Sequence, residues 1–167
     1  MSHLCTLRHP TAIPAYVGGG TYDPYAAAHT RLRLALSGLT VRLGCSDPAA
    51  DHTGLIADLR CQLAECRRRL AEDEAIHAAL RPIAPEAVEE LELYQAHLTG
   101  DFEALEALMS GVEAGGDLRP LYLAFTRFVA ACFAHMAHEE LETLPILHGL
   151  FTDAKLMAIT APMRRAA

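Results

Sequence analysis

The sequence predicts an all-α protein, an antiparallel up-down-up-down four-helix bundle with a short C-terminal helix. Apolar residues recur with the helical i, i+3, i+4, i+7 spacing over most of the chain. No stretch shows the alternating pattern that is typical of a strand. Short loops join four long helical segments, and short loops make successive helices antiparallel neighbours.

The helix boundaries follow from capping residues, prolines and glycines. Asp23 followed by Pro24 combines a capping carboxylate with a proline at the first helical position. The predicted helices are 23–44, 47 or 51 to 81, 85 to between 111 and 116, 117–149, and 153 to about 162. Gly100 is a predicted point of interruption in the third helix. Residues 1–21 are predicted to form an irregular N-terminal arm, and residues 22–167 the bundle.

Composition limits the classes of function. The chain has 167 residues, 51% of them apolar and 21% charged, which predicts one folded domain. A net charge of −7 argues against a nucleic-acid partner, because binding phosphates requires a basic face. No apolar run reaches the roughly 18–20 residues that span a bilayer, and the N-terminus lacks the pattern of a signal peptide. We therefore expect a cytoplasmic protein with no membrane contact. Its five cysteines, which include no CxxC pair, are expected to be reduced thiols.

The run from His135 to Glu140 (HMAHEE) places two imidazoles and two carboxylates on an otherwise apolar helix. Glu139 is four residues after His135, about 40° round the helix, and so shares its face. Glu140 is about 140° round the helix and would have to reach back. His138 is expected to play a surface or supporting role. The run therefore predicts a helix that supplies metal ligands.

The bundle allows a test of whether other polar residues meet this run. Antiparallel helices bring residues level when they are equally far from the connecting loop, at about 1.5 Å per residue. Counting across the three loops puts one polar residue of each long helix at about the same height: His29, Glu72, His97 and His135. Each would need a buried partner, and a shared metal ion would satisfy all four together.

Four segments of the chain form a pattern: His135-x-x-x-Glu139-Glu140 with Pro145 following, Tyr22-Asp23-Pro24 leading to His29, the run from Glu72 to His77, and His97 in the third helix. Through these segments, residues 22–160 resemble the hemerythrin-like, HHE cation-binding family. The resemblance implies a non-haem di-iron centre inside the bundle. It makes His29, His97 and His135 terminal ligands. It also makes Glu72 and Glu140 bridging carboxylates.

Two positions depart from the family pattern. Arg68 stands where the family has a second-helix histidine, four residues before Glu72, and a guanidinium does not bind metal. Tyr94 or Leu93 stands where the third helix usually has a first histidine. A single-metal site, or a site that uses Tyr94 as a phenolate ligand, is the alternative to a full di-iron centre.

His77 offers a further alternative, because Glu74-x-x-His77 matches one of the paired motifs of ferritin-like di-iron proteins. The chain has no second motif of that kind. The candidate metal ligands are therefore His29, Glu72, His97, His135, Glu139 and Glu140, with His77 and Tyr94 as alternatives. No catalytic residue is predicted, because no nucleophile has a recognisable base partner.

The resemblance implies a protein that binds one or two non-haem iron ions and takes up dioxygen or nitric oxide, or senses iron or redox state. Histidine and carboxylate ligands also suit zinc and manganese. One alternative is a metal-free bundle that acts as a scaffold or interaction module. Another is an oxidase or peroxidase-like enzyme that uses the same site.

Overall fold

Six α-helices and one π-helical turn make up the fold in the computed structural model, which describes residues 21–161. The helices and the turn are, in chain order, α1 Ala26–Gly44, α2 Thr53–Leu80, α3 Pro85–Glu113, α4 Leu118–His138, the π-helical turn Glu139–Thr143, α5 Leu144–Leu150 and α6 Asp153–Ile159. No strand occurs between residues 21 and 161. The predicted N-terminal arm lies, apart from its last residue, outside the described residues.

The four long helices form a closed ring of neighbours. Helix α1 packs against α2 and α4, and α3 packs against the same two helices from the other side. Because α2 and α4 lie opposite each other, and each follows its neighbour through a short loop, the antiparallel up-down-up-down bundle is confirmed. The predicted short C-terminal helix is α6, which packs against α2.

Capping carboxylates begin the helices as predicted. Asp23 Oδ1 accepts hydrogen bonds from the backbone N–H groups of Tyr25 and Ala26 at 2.8 and 3.0 Å. Asp51 Oδ1 accepts one from the N–H of Thr53 at 2.9 Å, which places the start of α2 here rather than at residue 47. These bonds satisfy N–H groups that have no partner within the helix.

The predicted interruption of α3 at Gly100 was wrong. Gly100 is exposed and lies inside an unbroken helix, where its missing side chain costs stability without ending the helix. Helix α3 ends at Glu113, just before Gly115 adopts a φ of +89°, which glycine reaches without strain. The N–H of Gly116 then bonds to the carbonyl of Gly111 at 2.9 Å and closes the helix end.

Each long helix buries a seam of residues spaced by three and four positions, with one step of seven in α2 (Cys66 to Asp73) and one in α3 (Leu91 to Leu98). The buried members are Tyr25, His29, Leu32, Leu36, Leu39 and Leu43 beside and on α1; Leu59, Leu63, Cys66, Asp73, His77 and Leu80 on α2; Val88, Leu91, Leu98, Phe102, Leu105, Met109 and Val112 on α3; and Leu118, Leu121, Phe125, Phe128, Cys132, His135 and Glu139 on α4 and the turn that follows it. This spacing is the one that keeps a helix facing its partners along a bundle. A few polar residues thereby share the seams with the leucines.

The core is divided in two along the bundle axis. A large apolar cluster fills one end and includes Leu36, Leu59 and Phe128. A small apolar cluster at the other end includes Tyr25 and Leu156. The polar seam residues lie between these two clusters, and we call them the polar layer: His29, Asp73, His77, His135 and Glu139.

Phe128→Ala is expected to lower the free energy of unfolding by about 3–5 kcal/mol, because it empties a fully buried site in the large cluster. The Phe128 ring also lies 5.3 Å from that of Phe102. Chemical denaturation measures the change. Leu34→Ala is the control, since Leu34 is 71% exposed and its loss should cost within about 0.5 kcal/mol. Equal losses in both variants would contradict this assignment of the core.

One stretch of the described residues, Leu118–Leu150, is long and apolar enough to cross a membrane by length and composition, and an 18-residue window within it has a mean hydropathy of 1.2. This limits the expectation that no apolar run of the chain is long enough to span a bilayer. Core helices of soluble bundles meet the same criterion, and this stretch carries much of the α4 seam. Its length and composition alone are weak support for a membrane span.

Candidate metal centre

The polar layer collects side chains from three helices. His29 comes from α1, Asp73 and His77 from α2, and His135 and Glu139 from α4 and the turn after it. Their exposed fractions are only 1–3%. Burying groups of this kind is costly unless they are paired or bind a metal. The polar atoms of this layer therefore need partners within the bundle.

Asp73, His135 and Glu139 form the tightest group in this layer. Each offers one ligand atom, and these atoms all lie within 4.8 Å of one another. Glu139 Oε2 lies 3.2 Å from His29 Nε2 and 3.6 Å from His135 Nε2. One carboxylate thus stands between two imidazoles, with Asp73 beside them. Imidazole nitrogens and carboxylate oxygens suit iron, zinc and manganese.

Unpaired polar atoms concentrate in the same place. In residues 21–161 the buried side-chain atoms without a hydrogen-bond partner, apart from His52 Nε2, all belong to this layer or to the adjoining Arg69: both ring nitrogens of His77 and of His135, Asp73 Oδ1, Glu139 Oε1, and Nε and Nη2 of Arg69. Each such atom costs about 1–3 kcal/mol when it stays unsatisfied. A bound cation would give a partner to one ring nitrogen of His135 and to the oxygens of Asp73 and Glu139, so these three residues fit a metal ion.

Burial sets the protonation of this layer. It lowers the pKa of His135 and of His77, although Glu139 acts in the opposite direction on both imidazoles. Burial, followed by the negative charge of Glu139, raises the pKa of Asp73 well above its usual value, and Arg69 opposes this rise. The imidazoles are therefore held in the neutral form that binds metals. A cation in the site would favour the ionised form of Asp73.

Glu140 lies beside the layer and holds His29 in place. Its two carboxylate oxygens accept hydrogen bonds from Arg33 Nη1 and Nη2 at 2.7 and 2.9 Å, and Oε1 is also 2.8 Å from His29 Nδ1. These bonds lower the pKa of Glu140, with Arg33 the larger cause. When His29 Nδ1 donates its proton to Glu140, His29 Nε2 is left as an acceptor facing Glu139. This is how carboxylates orient metal-binding histidines.

Glu140→Ala is therefore expected to weaken metal affinity by about 10- to 100-fold, the usual effect of removing a hydrogen-bonded group behind a metal site, because Glu140 fixes His29 against the ligand Glu139. Isothermal titration with zinc or manganese measures it. Glu142→Ala is the matched control, because Glu142 lies in the same turn but is exposed. Equal affinities in the wild type and the Glu140 variant would show that Glu140 does not act through His29.

The π-helical turn brings Glu139 and Glu140 to the α1 side. Pro145 has no N–H, and in a regular α-helix its ring would clash with the carbonyl of Leu141. The N–H of Leu144 instead bonds to the carbonyl of Glu139, five residues back. A turn of this width rotates successive residues less than an α-helix does, so both carboxylates reach His29. Such turns are often found at functional sites.

A small cavity adjoins the layer on the side of the large apolar cluster. It has a volume of about 30 Å³, and its polar wall includes His29, Asp73, His135 and Glu139. Its other walls are largely apolar, with Leu36 and Phe102 among them. A cavity of this size accommodates one or two molecules as small as water.

The structure brings together only some of the predicted ligands. His29, His135 and Glu139 lie in the polar layer, as does His77, which was predicted only as an alternative. Of the two carboxylates in the run from His135 to Glu140, Glu139 lies in the layer. This agrees with its predicted position about 40° round the helix from His135. Glu140, the bridge that the resemblance implied, is instead bound by Arg33.

Three other candidates lie outside the layer, and their predicted positions are corrected. Glu72 is paired with Arg68, the i, i+4 partner, and lines a surface groove. His97 is exposed on the outer side of α3. Tyr94 is also exposed, although its ring centroid is 5.7 Å from that of His135. Glu72 and His97 each sit one position before a seam residue of their helix, Asp73 and Leu98, so their side chains are turned away from the bundle axis.

Asp73 and Arg69 were missed by the sequence analysis. Asp73 lies on the α2 seam, seven residues after Cys66 and four before His77. Reading that seam would have selected Asp73 instead of its neighbour Glu72. Arg69 is 7% exposed, with Nη2 2.8 Å from Asp73 Oδ1, although the alignment is too poor for a hydrogen bond. No sequence signal indicated that this member of an arginine triplet is buried.

Comparisons of the chain with protein-family profiles, with curated proteins and with solved structures found no match. The site must therefore be interpreted from its own residues.

Proposed function

We propose that this protein binds a metal ion in the polar layer, with Asp73, His135 and Glu139 as ligands and His29 beside them. The observation that carries the proposal is that these three buried side chains place ligand atoms within 4.8 Å of one another. The unpaired nitrogen and oxygen atoms of the same residues support it. One ion per chain is expected, because the described residues contain one such group.

The residues around the proposed ion would have different roles in binding it. Asp73 and Glu139 supply negative charge, and His135 supplies a neutral nitrogen. Glu140 orients His29, and Arg33 holds Glu140 in place. The two apolar clusters on either side keep water away from the layer, which strengthens the electrostatic attraction between the carboxylates and a cation.

The resemblance to hemerythrin-like proteins favours iron as the metal. When bound, iron would supply a coordination position for a small diatomic ligand such as dioxygen or nitric oxide. The adjoining cavity of about 30 Å³ supports a ligand of that size and no larger one. The proposed function is therefore the binding of such a gas, or the sensing of iron or redox state through it.

The test is visible absorption of anaerobically prepared, ferrous-loaded protein before and after it meets dioxygen or nitric oxide. The wild type should develop a new band, and His135→Ala should not. His97→Ala is the control, because the resemblance makes His97 a ligand whereas its side chain is exposed. A band of equal strength in the His135 variant, or no band in the wild type, would contradict the proposal.

A metal-free scaffold is the competing function, and Arg69 favours it. The guanidinium lies 2.8 Å from Asp73 Oδ1 and 5.9 Å from the centre of the Tyr25 ring. Its positive charge offsets one carboxylate without any ion. Arg69→Met would distinguish the two functions. It should strengthen metal binding if the layer is a metal site, and should leave the protein metal-free if the layer is only structural.

A further inference from the structure

The proposed metal site is enclosed by the bundle, so an ion needs a route to it from the surface. Asp73, His135 and Glu139 are only 1–3% exposed. The cavity beside them shares two wall residues, Leu32 and Arg69, with a surface groove of about 540 Å³. This groove, which we call the α1–α2 groove, lies between helices α1 and α2.

We propose that metal ions reach the polar layer from the α1–α2 groove and that Arg69 is the gate on this route. The guanidinium holds Asp73 until an ion takes its place, and it then turns outward into the groove. The inference rests on the proposed metal site and adds the route to that site and the residue that controls it.

The Arg69 side chain separates the groove from the cavity. Its Nη2 atom lies 2.8 Å from Oδ1 of Asp73, a residue of the cavity wall. Its Nη1 atom lies 3.7 Å from Oε2 of Glu72, a residue of the groove wall. One guanidinium therefore faces both spaces, and a rotation of this single side chain would connect them.

Arg69 is loosely held for a buried arginine. Among residues 21–161, neither its Nε nor its Nη2 has a hydrogen-bond partner. Buried donors without partners are costly, and water in the groove would supply partners for both. A guanidinium is always charged in proteins, so it repels a cation that binds Asp73. Binding of an ion should therefore drive Arg69 into the groove.

A second route competes with this one between α2 and α3. A surface pocket of about 220 Å³ shares Leu70 and Phe102 with the cavity wall. Both side chains are apolar, so an ion that passed between them would lose its water without meeting a charged or polar replacement. The α1–α2 groove instead has charges of both signs along its walls, from Asp23, Glu65, Glu72, Arg31, Arg68 and Arg69. Carboxylate oxygens along the groove make it the favoured route.

The first test measures how fast zinc enters and leaves the protein, by stopped-flow absorbance with a chromogenic zinc chelator. Arg69→Ala should speed uptake by about tenfold or more, which corresponds to about 1.4 kcal/mol of barrier. Arg67→Ala is the control, because Arg67 belongs to the same arginine triplet but lines the pocket between α2 and α3. Its uptake rate should equal that of the wild type.

A second pair of variants narrows each route in turn. Ala35 lines the groove three residues after Leu32 and so lies beside it on α1. Ala35→Trp should slow zinc uptake and release alike, by about tenfold, and leave the dissociation constant unchanged. Thr99→Trp is the matched control, because Thr99 lines the competing pocket. Neither rate should change in that variant.

The position of Arg69 can be measured directly with phenylglyoxal, which modifies accessible guanidinium groups. Tandem mass spectrometry locates the modified arginines in protein with and without bound zinc. Zinc should raise the reactivity of Arg69 several-fold and leave that of Arg67 unchanged. In Asp73→Asn, which lacks a proposed ligand, zinc should have no effect on Arg69.

Three results would overturn the proposal: an unchanged uptake rate in Arg69→Ala or in Ala35→Trp, slower uptake in Thr99→Trp, or an unchanged reactivity of Arg69 in zinc-loaded wild type. Each of them leaves the proposed metal site intact, because the wild type still binds zinc at equilibrium. A wild type that binds no zinc, iron or manganese at equilibrium would instead contradict the proposed function, and the gate with it. Circular dichroism verifies that each variant is folded.

Discussion

Asp73→Asn should abolish metal binding by this protein, whereas Glu72→Gln should leave it unchanged. The two carboxylates are neighbours in sequence, and each substitution replaces a carboxylate with its amide. Asp73 is buried in the polar layer within 4.8 Å of the His135 and Glu139 ligand atoms. Glu72 instead pairs with Arg68 at the surface groove. The loss from Asp73→Asn should exceed the roughly 10- to 100-fold effect of removing an orienting group such as Glu140.

Titration calorimetry on both variants, with circular dichroism to verify folding, measures this difference. The two substitutions are matched in size and in charge change, so any general effect of removing negative charge would affect both. A larger loss of metal affinity in the Glu72 variant would indicate that Glu72 is the ligand, as the resemblance implied. It would also show that the α2 seam has been assigned to the wrong residues.

A bound metal should also raise the stability of the bundle. At a free metal concentration 100 times the dissociation constant, the free energy of unfolding should rise by about 2.7 kcal/mol. For a chain of 167 residues this corresponds to an increase of roughly 5–11 °C in the unfolding midpoint. The physical reason is that the ion binds the folded chain, where it satisfies buried polar atoms that otherwise lack partners, and does not bind the unfolded chain.

Differential scanning calorimetry with and without metal measures the shift. Asp73→Asn and His135→Ala should lose it, while His97→Ala should retain it because His97 is exposed. A shift of the same size in the Asp73 variant would mean that the metal binds elsewhere on the surface. No shift in the wild type at saturating metal would favour the metal-free scaffold.

The fold could be predicted almost completely from the sequence, because its determinants are local. Capping carboxylates such as Asp23 set where the helices begin, and Gly115 provides the left-handed residue that follows α3. Gly100 misled the prediction, since an exposed glycine weakens a helix without ending it. Short loops then left little choice of topology.

The site was predicted only in part. Counting residues from the loops gives the height of a residue along the bundle, but not the direction in which its side chain points around the helix axis. The count correctly brought His29 and His135 to one level. Glu72 and His97 were then predicted as ligands because they lie at that height. Each is one residue away from the seam of its helix, so its side chain points about 100° away from the bundle core. The alternating spacing of three and four along α2 selects Asp73 and His77. The sequence therefore contained this information.

Other features could not be predicted from the sequence. The π-helical turn depends on how the chain accommodates Pro145 against the rest of the bundle, and it is this turn that lets both Glu139 and Glu140 reach α1. The burial of Arg69 depends on the space between Asp73 and Tyr25. Pro145 rules out a regular α-helical hydrogen bond but does not by itself specify the wider turn, and the burial of Arg69 is a consequence of tertiary packing.

The central claim is that the polar layer is a metal site, and its most direct test is the metal-to-chain ratio after equilibrium dialysis against ferrous iron, zinc and manganese in turn. We expect about one ion per chain in the wild type for at least one of these metals. We expect no stoichiometric metal in Asp73→Asn. Substoichiometric metal in the wild type with all three ions, or an undiminished ratio in the Asp73 variant, would contradict the claim.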